Sequence, residues 1–302
     1  MAYVFANEAF NTSTLSFGLI GEVDRLNDID YSSSYNEFVA EAYSGSVPEG
    51  LAEGPEINVH DRIFFEKLGM GSAGDITMSE GAVTVGQVQC LDFLDEGVEW
   101  VDWNIIGLSL NAVDVWDAVS SKSSGDDRNL VKSALAGSDT FHLSYYNDYA
   151  NGFSGDDTVY GYDGNDSLFG GGGSDRIIGG KGTDQLSGGT GEDRFAFSKI
   201  TESGITATTS DVITDFVRGQ DKIKLSAIDA FGSSGTNDTF VFRGTAAFSS
   251  TTEGEVRFQK FDAAGTANDY TMIWIDTNAD TGVEMAIRLT GLYNLTASDF
   301  VL

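Results

Sequence analysis

Seven aspartates, Asp139, Asp148, Asp157, Asp166, Asp175, Asp184 and Asp193, recur at a fixed step of nine residues. Around the last five the chain reads GFSGDDTVY, GYDGNDSLF, GGGGSDRII, GGKGTDQLS and GGTGEDRFA. Each block has glycine at its first and fourth positions, aspartate at its sixth and an apolar residue at its eighth. Carboxylates at a regular step can hold a hard cation. Calcium accepts about six to eight oxygen ligands, so carboxylates would share the ion with the carbonyls of the intervening turns.

Positioning those carboxylates requires a coil. The first six residues of a block must turn the chain, which glycine permits by adopting φ > 0. The last three form a short strand whose eighth-position side chain points inward: Phe141, Val159, Leu168, Ile177, Leu186 and Phe195. Two blocks make one coil, and each aspartate then lies about 4.8 Å above its counterpart in the previous coil. Two charged carboxylates that close repel by roughly 3 kcal/mol at an effective dielectric near 20. One buried hydrophobe per nine ordered residues does not offset both that repulsion and the lost chain entropy. A cation between coils reverses the balance. Seven positions give five vertical pairs, from Asp139/Asp157 to Asp175/Asp193, so up to about five calcium ions are expected. A Gly/Asp-rich tract can also be a disordered linker, but strict nine-residue phase with an apolar eighth position argues for a repeat fold. The first two blocks are degenerate. The Asp139 block lacks the leading glycines, and the Asp148 block has Tyr146 in place of glycine and Ala150 as its inward residue.

The rest of the composition fits a cation-binding protein. The chain has 302 residues, 41% of them hydrophobic, and a formal net charge of -30. That charge disfavours nucleic acid and anionic membrane surfaces as partners. The single cysteine, Cys90, forms no intramolecular disulfide and reads as a small buried apolar residue. No apolar run reaches the ~20 residues of a membrane span, and the first residues show no basic or apolar signal-peptide pattern. Taken alone, these features indicate the cytoplasm.

Three domains are expected. Residues 1–133 read as a β-rich domain with runs such as Ala82–Val85, Val98–Trp103 and Asn104–Leu110, and a surface loop over Ser44–Glu56. Two short helices close it. The first, near 111–121, is capped by Asn111 with Val113, Trp116 and Val119 on one face; the second, near 126–136, buries Leu130, Val131, Ala134 and Leu135 and stops at Gly137 over the open end of the coil. Residues 134–197 form the coil. Residues 198–302 form a second β region with alternating segments at Glu255–Phe261, Tyr270–Ile275 and Met285–Leu289. The loop Asp276–Glu284 reads either as a further calcium site or as a hairpin turn, since Thr281 stands where an EF-hand loop needs glycine.

The nonapeptides resemble the G-G-x-G-x-D-x-U-x repeat of RTX (repeats-in-toxin) proteins, whose calcium-bound form is a parallel β-roll. The segments Asp211-Val-Ile-Thr-Asp-Phe216, Gly219-Gln-Asp-Lys-Ile-Lys-Leu-Ser226 and Leu289–Leu302 are similar to the region after the roll in serralysin-type secreted proteins. Asp299-Phe-Val-Leu302 resembles the uncleaved C-terminal signal of type I secretion in Gram-negative bacteria. The resemblance implies calcium as cofactor, the type I machinery as partner, export as an unfolded chain and folding in the calcium-rich exterior. It replaces the cytoplasmic reading with a secreted, extracellular or cell-surface one.

RTX proteins often carry a hydrolase beside the roll, but the motifs for one are missing. Only His60 and His142 occur and no H-E-x-x-H is present, which excludes a serralysin-like zinc protease. Gly107-Leu-Ser-Leu-Asn111 lacks the second glycine of a nucleophile elbow and reads as a strand-to-helix junction. Asp92–Glu96 and Glu99–Asp102, flanked by Trp100 and Trp103, could form a sugar-cleaving carboxylate pair or a hairpin with solvated acids. Val98–Ala136, with Gly107-Leu-Ser-Leu110 and Leu130-Val-Lys-Ser-Ala-Leu-Ala-Gly137, is similar to N-terminal regions of non-enzymatic RTX calcium-binding proteins.

The expected fold is therefore mainly β: an N-terminal β-rich domain with two short helices, a calcium-bound parallel β-roll, and a C-terminal β region packing on the roll. The expected function is that of a secreted calcium-binding protein without catalysis, with a role in adhesion, surface association, self-assembly or glycan binding. The alternative is a small extracellular hydrolase or carbohydrate-active enzyme built on the N-terminal carboxylates.

Overall fold

A computed structural model of the protein describes eight strand segments between Tyr3 and Asn111, residue 129, and residues 131–302 apart from 231–236, 251–253, 264–267 and 279–280. The chain divides into two compact units, residues 1–8 with 12–139 and residues 9–11 with 140–302.

In the first unit, β-branched and aromatic runs form an antiparallel sheet. Its strand order is Leu26–Ser32, Glu37–Ala42, Asp61–Glu66, Gln87–Asp95, Val101–Asn111 and Tyr3–Ala6. Thr77–Ser79 and Ala82–Val85 form a separate hairpin. The runs read as Val98–Trp103 and Asn104–Leu110 fall, from Val101 on, in one continuous strand, and Asn111 is its last residue. Ser109 thus lies inside a strand and cannot occupy a nucleophile elbow. The expected helix near 111–121 and the loop over Ser44–Glu56 lie outside the described residues. Of the second helix, residues 131–134 are helical, with Val131 and Leu135 buried as expected.

The second unit is the roll. Successive nonapeptides alternate between two parallel sheets, and within each sheet the register is eighteen residues: Val159 pairs with Ile177, and Leu168 with Leu186. One sheet stacks Phe141, Val159, Ile177 and Phe195 inward; the other stacks Ala150, Leu168 and Leu186. All seven are fully buried, which explains the regular step of eighth-position hydrophobes along the repeat.

The roll does not stop with the repeats. Asp211–Ile213 continues the second sheet beside Gln185–Thr190, and Lys222–Lys224 continues the first beside Arg194–Ala196. Ile213 and Ile223 extend the two hydrophobic stacks and are fully buried. The motif segments thus supply further turns of the coil with longer loops between them. Beyond these, Phe300–Val301 closes the first sheet in parallel with Lys222–Lys224. Met285–Thr290 extends the second, followed by the antiparallel strands Tyr270–Asp276 and Glu255–Phe261. The expected C-terminal β region is present, and it joins the roll strand by strand at the sheet edges. Asp276–Glu284 connects two antiparallel strands, with Thr281 at φ 67°. Within it the Glu284 carboxylate accepts from Thr277 N–H and Asn278 Nδ2, the arrangement of a hairpin turn.

Fourth-position glycine is fixed by the stacking of coils. A Cβ on Gly182, whose φ is +147°, would lie 1.7 Å from the Gly164 carbonyl oxygen in the coil before it. Gly219, at φ +84°, has open space around it. Gly182→Ala should therefore lower the melting temperature of the calcium-loaded protein by about 5 °C or more, and Gly219→Ala by only about 2–4 °C, as read by differential scanning calorimetry.

Candidate metal centre

The aspartates are held by one another's backbones. Asp148 N–H donates to Asp166 Oδ1 at 2.9 Å, Asp166 to Asp184 at 2.9 Å, and Asp184 to Asp211 at 2.9 Å. In the second row Asp157 donates to Asp175 at 2.8 Å, Asp175 to Asp193 at 3.0 Å, and Asp193 to Asp221 at 3.2 Å. Each aspartate carbonyl in turn accepts the N–H of the next coil's strand, as Asp157 O does from Arg176 at 2.8 Å and Asp193 O from Lys222 at 2.8 Å. The roll therefore carries two parallel rows, Asp148–Asp166–Asp184–Asp211 and Asp157–Asp175–Asp193–Asp221. Asp139, at the head of the sequence register, is buried.

Asp211 and Asp221 were not in the nine-residue count. Longer loops put them 27 and 28 residues after Asp184 and Asp193 in place of the eighteen of one coil; Asp211 still falls on a multiple of nine, and Asp221 lies one residue past it. The available signal was an aspartate two residues before an inward hydrophobe, as in the repeats, present in both Asp211-Val-Ile213 and Asp221-Lys-Ile223. The first row ends where Ser203 Oγ, in place of another carboxylate, accepts the Asp211 N–H at 2.8 Å. The second ends at Asp221, whose Oδ2 accepts the Val217 N–H at 2.6 Å. Asp215 closes the last repeat turn by accepting from Gly188 N–H, Gly189 N–H and Ser187 Oγ.

Fifth-position residues form a second ladder that the sequence reading missed. Asn147, Asp156 and Asn165 accept N–H donors from Asn165, Ser174 and Thr183 of the following coil at 2.7, 2.7 and 2.8 Å. Short polar side chains at that position therefore tie the turns together on the exposed side.

With Oδ1 anchored, Oδ2 is left. The Oδ2 atoms of Asp166, Asp175, Asp184, Asp193 and Asp211 are buried and have no hydrogen-bond partner. First-position glycine makes room for them: a Cβ on Gly170 would lie 2.2 Å from Asp175 Oδ2. Burial pushes the Asp166 carboxyl up to about 8, with the Asp148 N–H opposing and the charges of Asp184 and Asp148 adding to the rise. Burial likewise pushes Asp175 up to about 6, against the Asp157 N–H and with the charge of Asp193. Asp184, Asp193, Asp211 and Asp221 are raised too, again chiefly by burial. A buried carboxylate oxygen without a donor demands a proton or a cation.

All the donors are hard oxygens, which suits calcium. Among the described residues no three acidic, histidine or cysteine side chains converge on one point. Any ion here would therefore draw on one or two carboxylates and complete its shell from turn carbonyls. The aspartate rows and the glycine turns supply both, so the residues present fit the ion.

A model of the family described as peptidase M10 serralysin C terminal matches residues 110–302. The chain belongs to this serralysin C-terminal family. Its calcium-binding β-roll fold is the one the nonapeptides indicated, and the family match spans the roll and the C-terminal strands together. Two solved structures from Azotobacter vinelandii are also similar, both subunits of a mannuronan C5-epimerase. AlgE6R2 is 24% identical over 55% of this chain and 91% of its own, with a TM-score of 0.38. AlgE6R3 is 27% identical over 55% and 79%, with a TM-score of 0.28. Among curated proteins none matches the chain.

The N-terminal carboxylates are less informative. Asp92 and Asp95 lie on one strand and Asp102 on its antiparallel neighbour, near a register shift at Phe93/Leu94. Glu96, Glu99, Trp100 and His60 lie outside the described residues. No helix among the described residues is long and apolar enough to cross a membrane.

The raised carboxylates fix the sign of the pH response. Aspartate in an unfolded chain titrates near 4. The folded calcium-free roll holds more protons than the unfolded chain between about pH 4 and 8, so its stability falls as pH rises through that window. Circular dichroism in EGTA should show more β structure near pH 5 than near pH 8, while the calcium midpoint should fall as pH rises. Asp211→Asn should raise that midpoint about fivefold or more and reduce the number of ions bound in calorimetric titration, whereas Asp229→Asn, outside both rows, should do neither.

Proposed function

We propose that this protein leaves the cell as an unfolded chain through a type I secretion system of a Gram-negative bacterium and folds outside on binding calcium. Its role there is non-catalytic binding or surface association, with the N-terminal β sheet as the presenting domain. The observation that carries the reading is the pair of buried aspartate rows, in which Oδ2 of Asp166, Asp175, Asp184, Asp193 and Asp211 has no donor. Such rows are costly at cytosolic calcium and stable at extracellular calcium, so the folding reaction itself distinguishes the two sides of the envelope. The seven repeat aspartates, Asp139 to Asp193, are assigned as ligands together with Asp211 and Asp221, and several ions are held between coils.

An acidic chain with no cation bound stays expanded through self-repulsion, a state suited to passage through a narrow export channel. The C-terminal residues Asp299–Leu302 supply the recognition signal. In the folded protein Phe300–Val301 is paired in the sheet and Asp299 is buried, so the signal is readable only before folding.

Titration of the calcium-free protein should give a cooperative gain of β signal at roughly 10⁻⁴ to 10⁻³ M calcium, the range of extracellular modules. Asp166→Ala and Asp175→Ala should each shift the midpoint upward about fivefold or more. An unchanged titration in both variants would overturn the ligand assignment.

A further inference from the structure

Cations are scarce in this chain, 17 Lys and Arg against 47 Asp and Glu, yet they gather on one face of the roll. Arg176, Arg194 and Lys222 are successive cross-strand partners on the outward side of the first sheet, and Lys224 follows two residues on. Like charges in register on adjacent strands repel. The matching positions of the second sheet, Ser167, Gln185 and Val212, carry no charge. Among the described residues, Arg176, Arg194, Lys199 and Lys224 form no ion pair. Such a row persists at a cost unless an anion meets it.

Beside this row is a cleft of about 330 Å³, near the lower end of small-molecule sites. Ile178, Ala196 and Phe197 give it an apolar lining, and Arg176, Lys199 and Lys224 bring positive charge, while the Lys181 charge is met by Asp163 at 3.0 Å. Tyr160 and Tyr162 also line it. Their rings are held in place by His142, which stacks on Tyr160 at 5.0 Å with a 2° interplanar angle and meets the Tyr162 hydroxyl at 2.7 Å through Nδ1. Tyr145 extends the aromatic row at 5.7 Å from Tyr162. Asp163 and Glu202 add carboxylate acceptors with lone pairs left for hydroxyl groups; Asp163 is fixed by Lys181 at 3.0 Å and Glu202 by the Ser198 N–H and hydroxyl.

Fixed aromatic rings, cations without a carboxylate partner and carboxylate acceptors recognise different parts of one ligand; Arg176 is itself held over the Tyr160 ring at 5.9 Å, with Lys199 and Lys224 beyond it. The rings take a flat C–H face, the cations a carboxylate, and Asp163 and Glu202 the hydroxyls. We propose that this cleft binds an acidic oligosaccharide, with a uronate unit on Tyr160 and Tyr162 and its carboxylate toward Arg176 and Lys224. A nucleic acid is the poorer fit: its dense phosphate charge meets the net charge of -30 around a short cationic row. The lining comes from successive coils of the roll, so the cleft exists only when the roll is folded. The inference rests on the calcium-folding reading, and it makes glycan binding calcium-gated.

The test is calorimetric titration of the full chain at saturating calcium with trigalacturonate, maltotriose and a single-stranded oligonucleotide. Circular dichroism in the same buffer reports folding, so loss of the roll and loss of binding are separate results. Trigalacturonate should bind and maltotriose should not. Tyr160→Ala and Lys224→Gln should each weaken binding about tenfold with the calcium midpoint unchanged, while Arg176→Lys retains most of it. A folded roll that ignores trigalacturonate overturns the proposal. So do equal affinity for maltotriose, preference for the oligonucleotide, or indifference to both substitutions.

Discussion

Every coil of the roll places a buried aspartate carboxylate against the backbone N–H of the aspartate in the coil before it, and the fold depends on that contact being electrically tolerable. The N–H anchors one oxygen and fixes the spacing of the coils. At Asp166, Asp175, Asp184, Asp193 and Asp211 the other oxygen is buried and left without a donor. Desolvation and the charges of neighbouring aspartates both oppose ionisation there. A proton satisfies one carboxylate at a time, whereas a divalent cation satisfies neighbouring coils together. The same geometry that makes the coil unstable alone makes it responsive to calcium.

This constraint accounts for much of the sequence around it. Glycine at the first position leaves space for Oδ2, and glycine at the fourth lets one turn rest on the carbonyl of another. The eighth-position hydrophobes form two narrow stacks, with one buried side chain per nine residues. Beyond the repeats, Asp211 and Asp221 carry the rows onward, and Ser203 ends the first of them with a neutral acceptor. The C-terminal strands then extend one edge of each sheet. The roll and the serralysin-like region are therefore one folded body, joined by backbone ladders.

Periodicity made the repeat legible: the aspartates, the inward hydrophobes and the parallel coil all follow from a nine-residue step. The same periodicity stopped short of Asp211 and Asp221, because the glycine turns end with the last block and longer loops replace the eighteen-residue coil step, a gap that stacking closes in three dimensions. The fifth-position ladder was hidden for another reason. Asn147, Asp156 and Asn165 look like ordinary turn residues, and their role appears only when coils are superposed. The cationic face was invisible in composition, since Arg176, Arg194 and Lys222 are far apart in an acidic chain. In the N-terminal unit strand propensity located Ala82–Val85, but the strands proposed on either side of Asn104 proved to be one, because no turn residue interrupts Trp103 and Asn104.

The central claim is that calcium folds the repeats and the C-terminal strands as a single unit through the two aspartate rows. Hydrogen–deuterium exchange, resolved by peptide across a calcium titration, tests it directly. Peptides covering 158–196, 211–224 and 285–301 should gain protection together, at one calcium concentration, and lose it together in EGTA. Protection of 211–224 or 285–301 in EGTA, or at a midpoint separate from that of the repeats, would contradict it.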